Sequence, residues 1–232
     1  MTRLLIHVEG TTEENFVNQI LGPHLYDACG YTMVSARLMG NSPQRDRRGG
    51  IKPWPAERRD ILNHLKEDTS CLVSTMVDYY GLPKSGSGAW PGRETADNVP
   101  YPEKANTVEN ALLTDICEQM GNAFNPNRFI PYLMMHEFEA LLFSDCEAFS
   151  RGIERPDMAQ EFQKIRDSFG SPEEIDDSPH TAPSKRIERL VPGYQKPLFG
   201  TLAALDIGLD KIRAECPHFQ SWLARLERAG QA

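Results

Sequence analysis

The stretch from Leu4 to Phe16, LLIHVEGTTEENF, constrains the fold of this chain more than any other. Leu4 to Val8 is the short, mostly apolar run expected of a strand buried on both faces, and Gly10 breaks it so that a helix can start at Thr11. Glu9 is left at the carboxyl end of the strand, where an open α/β sheet has its ligand-binding crevice. Thr11 and Glu14 have the spacing of a capping box, and Glu13 falls in the first helical turn, where the helix dipole favours negative charge. Glu9 lies outside the helix and has no such local explanation.

The chain then repeats the strand-helix pattern. Phe16, Val17, Ile20 and Leu21 carry the first helix to about Cys29, where Gly30 closes it, and Tyr31 to Met39 alternates as a second strand. Ala56 to Lys66 reads as a second helix with Ile61, Leu62 and Leu65 on its apolar side, and Cys71 to Val77 as a third strand ending on Asp78. Lys84 to Pro102, rich in Gly, Pro and Ser, reads as a loop over the carboxyl edge of the sheet. Thr107 to Met120 makes a third helix, and Arg128 to Met135 a fourth strand in which Pro131 points to an edge position or a bulge. This order predicts an α/β fold: a mostly parallel four-stranded sheet with right-handed crossovers, flanked by helices. Beyond it, Glu147 to Phe169, Pro183 to Leu190 and Thr201 to Glu227 read as helices. The expected division is an α/β domain over 1–145 and a helical C-terminal extension packed on it over 146–232.

Composition narrows the function. No apolar run approaches the roughly 20 residues that span a bilayer, and the N-terminus enters a strand without signal-peptide organisation, so a cytoplasmic protein is expected. Five scattered cysteines with no CxxC pair suggest buried free thiols in place of a disulfide framework or zinc site. Lys+Arg 25 against Asp+Glu 33 gives 25 − 33 = −8, which argues against a nucleic-acid binder relying on a globally positive surface. Locally, Arg45, Arg47, Arg48, Lys52, Arg58 and Arg59 crowd the stretch RDRRGGIKPWPAERR. It reads either as a solvated loop or as a phosphate-contacting arm with Trp54 available for stacking. Lys185, Arg186 and Arg189, on one short amphipathic segment followed by Lys196, carry the same two readings.

Three strands end in acid: Glu9 after the first, Asp78 after the third and Glu137 after the fourth, with Glu13 and Glu139 close by. In a parallel sheet these ends share one rim, and converging carboxylates repel unless a cation or protons compensate. Oxygen-only ligation of this kind suits Mg²⁺ or Mn²⁺, which stabilise charge developing on a phosphoryl oxygen and can activate water. His136, three residues before Glu139, is a metal ligand, a general base or a structural histidine. No GxSxG, Walker A loop or GxGxxG is present, so serine-hydrolase chemistry and P-loop ATP hydrolysis are not expected.

An apolar strand ending in EGTTE, followed by a later apolar strand ending in Asp before a turn, resembles the Toprim fold shared by topoisomerases, primases, recombination proteins and the overcoming-lysogenization-defect (OLD) nucleases. The fuller set VEGTTEENF, MVDYYGLP, FIPYLMMHEFEALLFSD, TAPSKRI and GLDKIRAECPHFQSWL resembles the Toprim-related domain-of-unknown-function family numbered 4276 over nearly the whole chain. The resemblance implies metal-dependent phosphodiester chemistry, with Glu9 matching the Toprim glutamate, Glu13 the second acid of the OLD-type EGxxE and Asp78 the first acid of the DxD pair. Tyr80 stands where the second aspartate of that pair belongs, so Glu137 or Glu139 is expected to complete the shell, with His136 or Glu13 handling the proton. The implied function is a Toprim-type nuclease using Mg²⁺ or Mn²⁺, serving as effector of a phage-defence or mobile-element system. Its expected partners are nucleic acid, DNA before RNA, and an ABC-type ATPase subunit, with no membrane; a homo-oligomer is left open. Arg45, Arg47, Arg48, Lys52, Arg58, Lys185, Arg186 and Arg189 would steer the polymer. Two alternatives stand beside it: a catalytically silent subunit docking on the ATPase, and a nucleotide phosphohydrolase.

Overall fold

The computed structural model describes residues 2–39, 50–175 and 182–231. Its centre is a wholly parallel sheet: β1 (Thr2–Val8), β2 (Tyr31–Leu38), β3 (Cys71–Asp78) and the short β4 (Phe129–Ile130) lie in the order β2-β1-β3-β4, and β5 (Leu133–Met134) continues beside β3. The expected fourth strand is thus split. Pro131 has no N–H to give the ladder, and Thr75 fills the gap: its hydroxyl donates to the Tyr132 carbonyl and accepts from the Tyr132 N–H, each at 3.0 Å.

Both faces of the sheet are covered, which is why β1 is apolar almost throughout. Leu5 faces a core made with α3 (Trp54–Glu67) and α4 (Glu103–Met120). Leu4, Ile6 and Val8 face the other, larger core. That core takes in α1 (Thr11–Phe16) and α2 (Gly22–Cys29), which are joined by a π-helical turn over Val17–Leu21. Pro23 cannot supply a helical hydrogen bond at this point, and the wide turn lies just ahead of it.

The remaining helices are α5 (Glu139–Leu142), α6 (Cys146–Gly152), α7 (Ala159–Arg166), α8 (Pro183–Leu190), α9 (Lys196–Ile207), α10 (Leu209–Glu215) and α11 (Pro217–Gly230). Their apolar faces enter the same larger core, and Phe143 and Phe149, on either side of residue 145, meet at 5.5 Å between ring centroids. The long helices expected over Glu147 to Phe169 and Thr201 to Glu227 are broken. Glu154 adopts a left-handed φ of 57° ahead of Pro156, and Gly208 and Pro217 separate α9, α10 and α11. All five cysteines are free, with Cys117 alone among them partly exposed. Among the described residues, no helix is long and apolar enough to cross a membrane.

Candidate functional site

The parallel register carries the strand ends to one edge. Val8 pairs with Met76 and Asp78 with Met134, so Glu9, Asp78 and the residues after β5 emerge together. Glu9, Glu13, Asp78, Glu137, Glu139 and Lys196 all line one cleft of about 350 Å³. The capping box expected of Thr11 and Glu14 does not form. The helix begins at Thr11 with Gly10 as its N-cap and no side-chain cap, which places Glu13 in the first turn, facing the cleft and buried. Its Oε2 lies so near Gly10 that a Cβ there would meet it at 3.0 Å.

The acids differ in how they are held. Burial raises the Glu9 pKa, opposed by a hydrogen bond from the Asp78 backbone. Burial, then the Glu9 charge, takes Glu13 up to about 7, although the backbone N–H groups of Glu13 and Gly10 pull the other way. Asp78, partly buried and facing Glu9, Glu13, Glu139 and Glu137, is raised well above the usual carboxylate range, by desolvation first and then by those charges. Burial also takes Glu139 up to about 7 against the pull of Lys196. Glu137 is the exception: its burial is outweighed by hydrogen bonds from the Ser184 N–H (2.8 Å) and Lys196 Nζ (3.1 Å), and its pKa falls. Lys196, the first residue of α9, also lies 3.5 Å from Glu139.

Glu9 Oε2, Asp78 Oδ1 and Glu139 Oε1 are buried without a hydrogen-bond partner. Orphaned carboxylate oxygens from three separate segments on one cleft are a donor set of the kind Mg²⁺ or Mn²⁺ takes. No three of the rim carboxylates come within 4.8 Å of one another; among the described residues His24, Cys29 and Glu227 are the trio that does. Arg213 already grips both oxygens of Glu227, at 2.7 and 2.8 Å, and His24 donates to it, so that trio is satisfied as an ion-pair network joining α2 to α11. The wider spacing of the rim suits an ion that keeps much of its water, as Mg²⁺ does.

Other expected site residues lie elsewhere. His136 lines a neighbouring recess, its ring stacked on Tyr80. Trp54 is buried against Trp90 with its indole N–H on Asp115, so it is not available for stacking on a ligand. Arg58 is tied to the same Asp115 at 3.0 Å, and Lys52 to Asp60 at 2.8 Å. Lys185 pairs with Glu188 on α8, Arg186 lies over the Phe169 ring, and Arg189 is exposed. Arg45, Arg47 and Arg48 fall outside the described residues. The chain leaves the rim with Met39 donating to the Val8 carbonyl, and Gly50 returns to it, donating to the Glu9 carbonyl at 2.9 Å.

Sequence reasoning missed two features. The sequence groups Lys196 only with Lys185, Arg186 and Arg189, as a phosphate contact or a solvated charge, because nothing local marks it as the counter-charge of acids some 60 residues earlier. His7 and Glu57 form a buried pair between β1 and α3, with His7 Nδ1 against Glu57 Oε1 and the His64 ring edge-on to His7. The one signal for that pair was a histidine inside an otherwise apolar strand.

No curated protein and no solved structure matches the chain. The family model described as a domain of unknown function, DUF4276, matches residues 8–227, and the chain belongs to that family.

Proposed function

We propose that this chain is a metal-dependent phosphodiesterase of Toprim type acting on nucleic acid. The observation that carries the reading is the set of three buried, unpartnered carboxylate oxygens, on Glu9, Asp78 and Glu139, around one cleft at the carboxyl edge of a parallel sheet. Glu9, Asp78, Glu139 and Glu13 would hold Mg²⁺ or Mn²⁺. Bound there, the ion would supply Lewis acidity at the phosphoryl oxygen and lower the pKa of a coordinated water. Glu137, engaged on both oxygens, holds Lys196 and the start of α8 in place. Lys196 in turn is placed to offset phosphate charge at the mouth of the cleft. An ABC-type ATPase partner and a role in defence or mobile elements belong to this reading through the family resemblance alone.

The test is a nicking assay on supercoiled plasmid in Mg²⁺ or Mn²⁺ against EDTA. Glu9→Gln and Asp78→Asn should each lower cleavage at least 100-fold, while thermal melting stays unchanged or rises because like charges are relieved. Normal cleavage by both variants would place the site elsewhere. One observation favours a second reading, a silent binding subunit: Lys196 already neutralises part of the rim through Glu137 and Glu139. Calorimetric Mn²⁺ titration separates the two, since a working site gives an isotherm that Glu9→Gln removes.

A further inference from the structure

A second recess, of about 370 Å³, opens beside the acid cleft, past the turn that ends β3. Tyr80, Tyr101, His136 and Phe169 line it, together with Met135 and one side chain of each charge, Lys104 and Glu174. The rings of Tyr80 and His136 are nearly parallel, 7° apart with centroids at 5.5 Å, and Tyr80 is 36% exposed. This platform is fixed from beneath. Arg93, wholly buried, donates through Nε to the Tyr79 carbonyl (3.0 Å), and through Nη1 to the Tyr79 hydroxyl (3.1 Å) and Asp97 (2.7 Å). Its guanidinium lies 3.9 Å from the Tyr79 ring centroid and 5.5 Å from that of Tyr80. Tyr79 meets Tyr80 edge-on at 4.9 Å. Nε and Nη1 carry these bonds while Nη2 is buried without a partner, and the bonds tie Tyr79 to Asp97 so that the turn presents a pre-ordered ring to the recess. Lys104 Nζ, 6.0 Å from the Tyr80 centroid, adds a positive charge.

Flat aromatic walls with one ammonium donor and one carboxylate acceptor suit a heterocyclic base, which offers a face for stacking and both acceptors and donors along its edge. The position matters as much as the chemistry, because Tyr80 is two residues from Asp78 and His136 is next to Glu137. We propose that this recess binds one unpaired nucleobase of a nucleic-acid strand, seating the adjoining phosphate on the acid cleft. The inference rests on the phosphodiesterase reading and adds a substrate class to it: single-stranded or locally opened nucleic acid, held by stacking.

The experiment measures fluorescence anisotropy of a labelled single-stranded DNA dodecamer and of an abasic strand of equal length and charge, in Ca²⁺. Wild-type protein should bind the base-bearing strand about tenfold or more tightly than the abasic one. Tyr80→Ala should erase that preference, Tyr80→Phe should keep it, and Lys104→Ala should weaken both strands alike. Equal affinity of the wild type for the two strands, binding of neither, or an undiminished preference in a Tyr80→Ala protein that melts like the wild type overturns the proposal. Cleavage in Mn²⁺ is scored separately. Cleavage without base preference removes the recess and leaves the phosphodiesterase reading, whereas base preference without cleavage does the reverse.

Discussion

Glu13 and Glu139 give the acid rim a measurable signature in pH. Both are buried and both titrate at about 7, against an ordinary glutamate value of 4.5. A carboxyl whose folded pKa is raised holds its proton in the native state after the unfolded chain has lost it, so stability falls as pH rises between those two values. We therefore expect chelator-treated protein to lose stability from pH 5 to 7, by roughly 1 to 3 kcal/mol per group, or several degrees in Tm. The carboxyl of Glu137, held low by Ser184 and Lys196, acts at more acid pH and with the opposite sign. Glu139→Gln should flatten the slope, and saturating Mn²⁺ should remove it by replacing protons as the compensating charge. Thermal melts across that window check this, and a flat profile in the metal-free wild type would show that burial does not hold these two carboxyls above their ordinary range. Glu9 and Asp78 were legible in the sequence because an acid at the end of an apolar strand has nowhere to point but the crevice. Lys196 was not, because its partners are set by the packing of α9.

That packing depends on how closely α9 approaches α6. A Cβ on Gly152 would stand 2.7 Å from Ala203 Cα and 3.1 Å from Ala203 N, contacts with backbone that no rotamer change relieves. Gly152→Ala should thus push α9 outward and lower stability by roughly 1 to 3 kcal/mol, although a glycine-to-alanine change in a helix ordinarily stabilises. Because α9 begins at Lys196, the same variant should weaken metal binding without altering any ligand. Unchanged melting and unchanged Mn²⁺ affinity would count against this coupling. At this scale the sequence was a good guide to β1, β2 and β3, whose expected bounds fall within a residue of the observed ends except at the start of β1, which begins two residues earlier, at Thr2. It was a poorer guide past Asp145. Apolar spacing there is continuous, and the breaks come from a left-handed Glu154 and from Pro156, Gly208 and Pro217, which periodicity alone does not weigh.

Across the whole molecule, the division expected near residue 145 crosses a continuous core. Trp222, on α11, donates its indole N–H to Ser74 on β3 at 2.9 Å and stacks on Tyr132 at 4.4 Å between centroids. The Tyr31 hydroxyl, on β2, donates to the Leu226 carbonyl at 2.7 Å. Phe149, Phe162, Ile187, Ile212, Phe219, Trp222 and Leu223 are buried in the same core as Leu4, Ile6, Val8 and Met76 of the sheet. Burying one such side chain stabilises by roughly 1.5 to 3 kcal/mol, so losing them together is comparable to or larger than the roughly 5 to 15 kcal/mol that holds a domain folded. A fragment ending at residue 145 should therefore show no cooperative melt, should bind a hydrophobic dye and should lack near-ultraviolet dichroism. A fragment that melted cooperatively within a few degrees of the full chain would show that the α/β half stands alone. The acid cleft would still be incomplete in it, because Lys196 and the Ser184 N–H that hold Glu137 come from the deleted half.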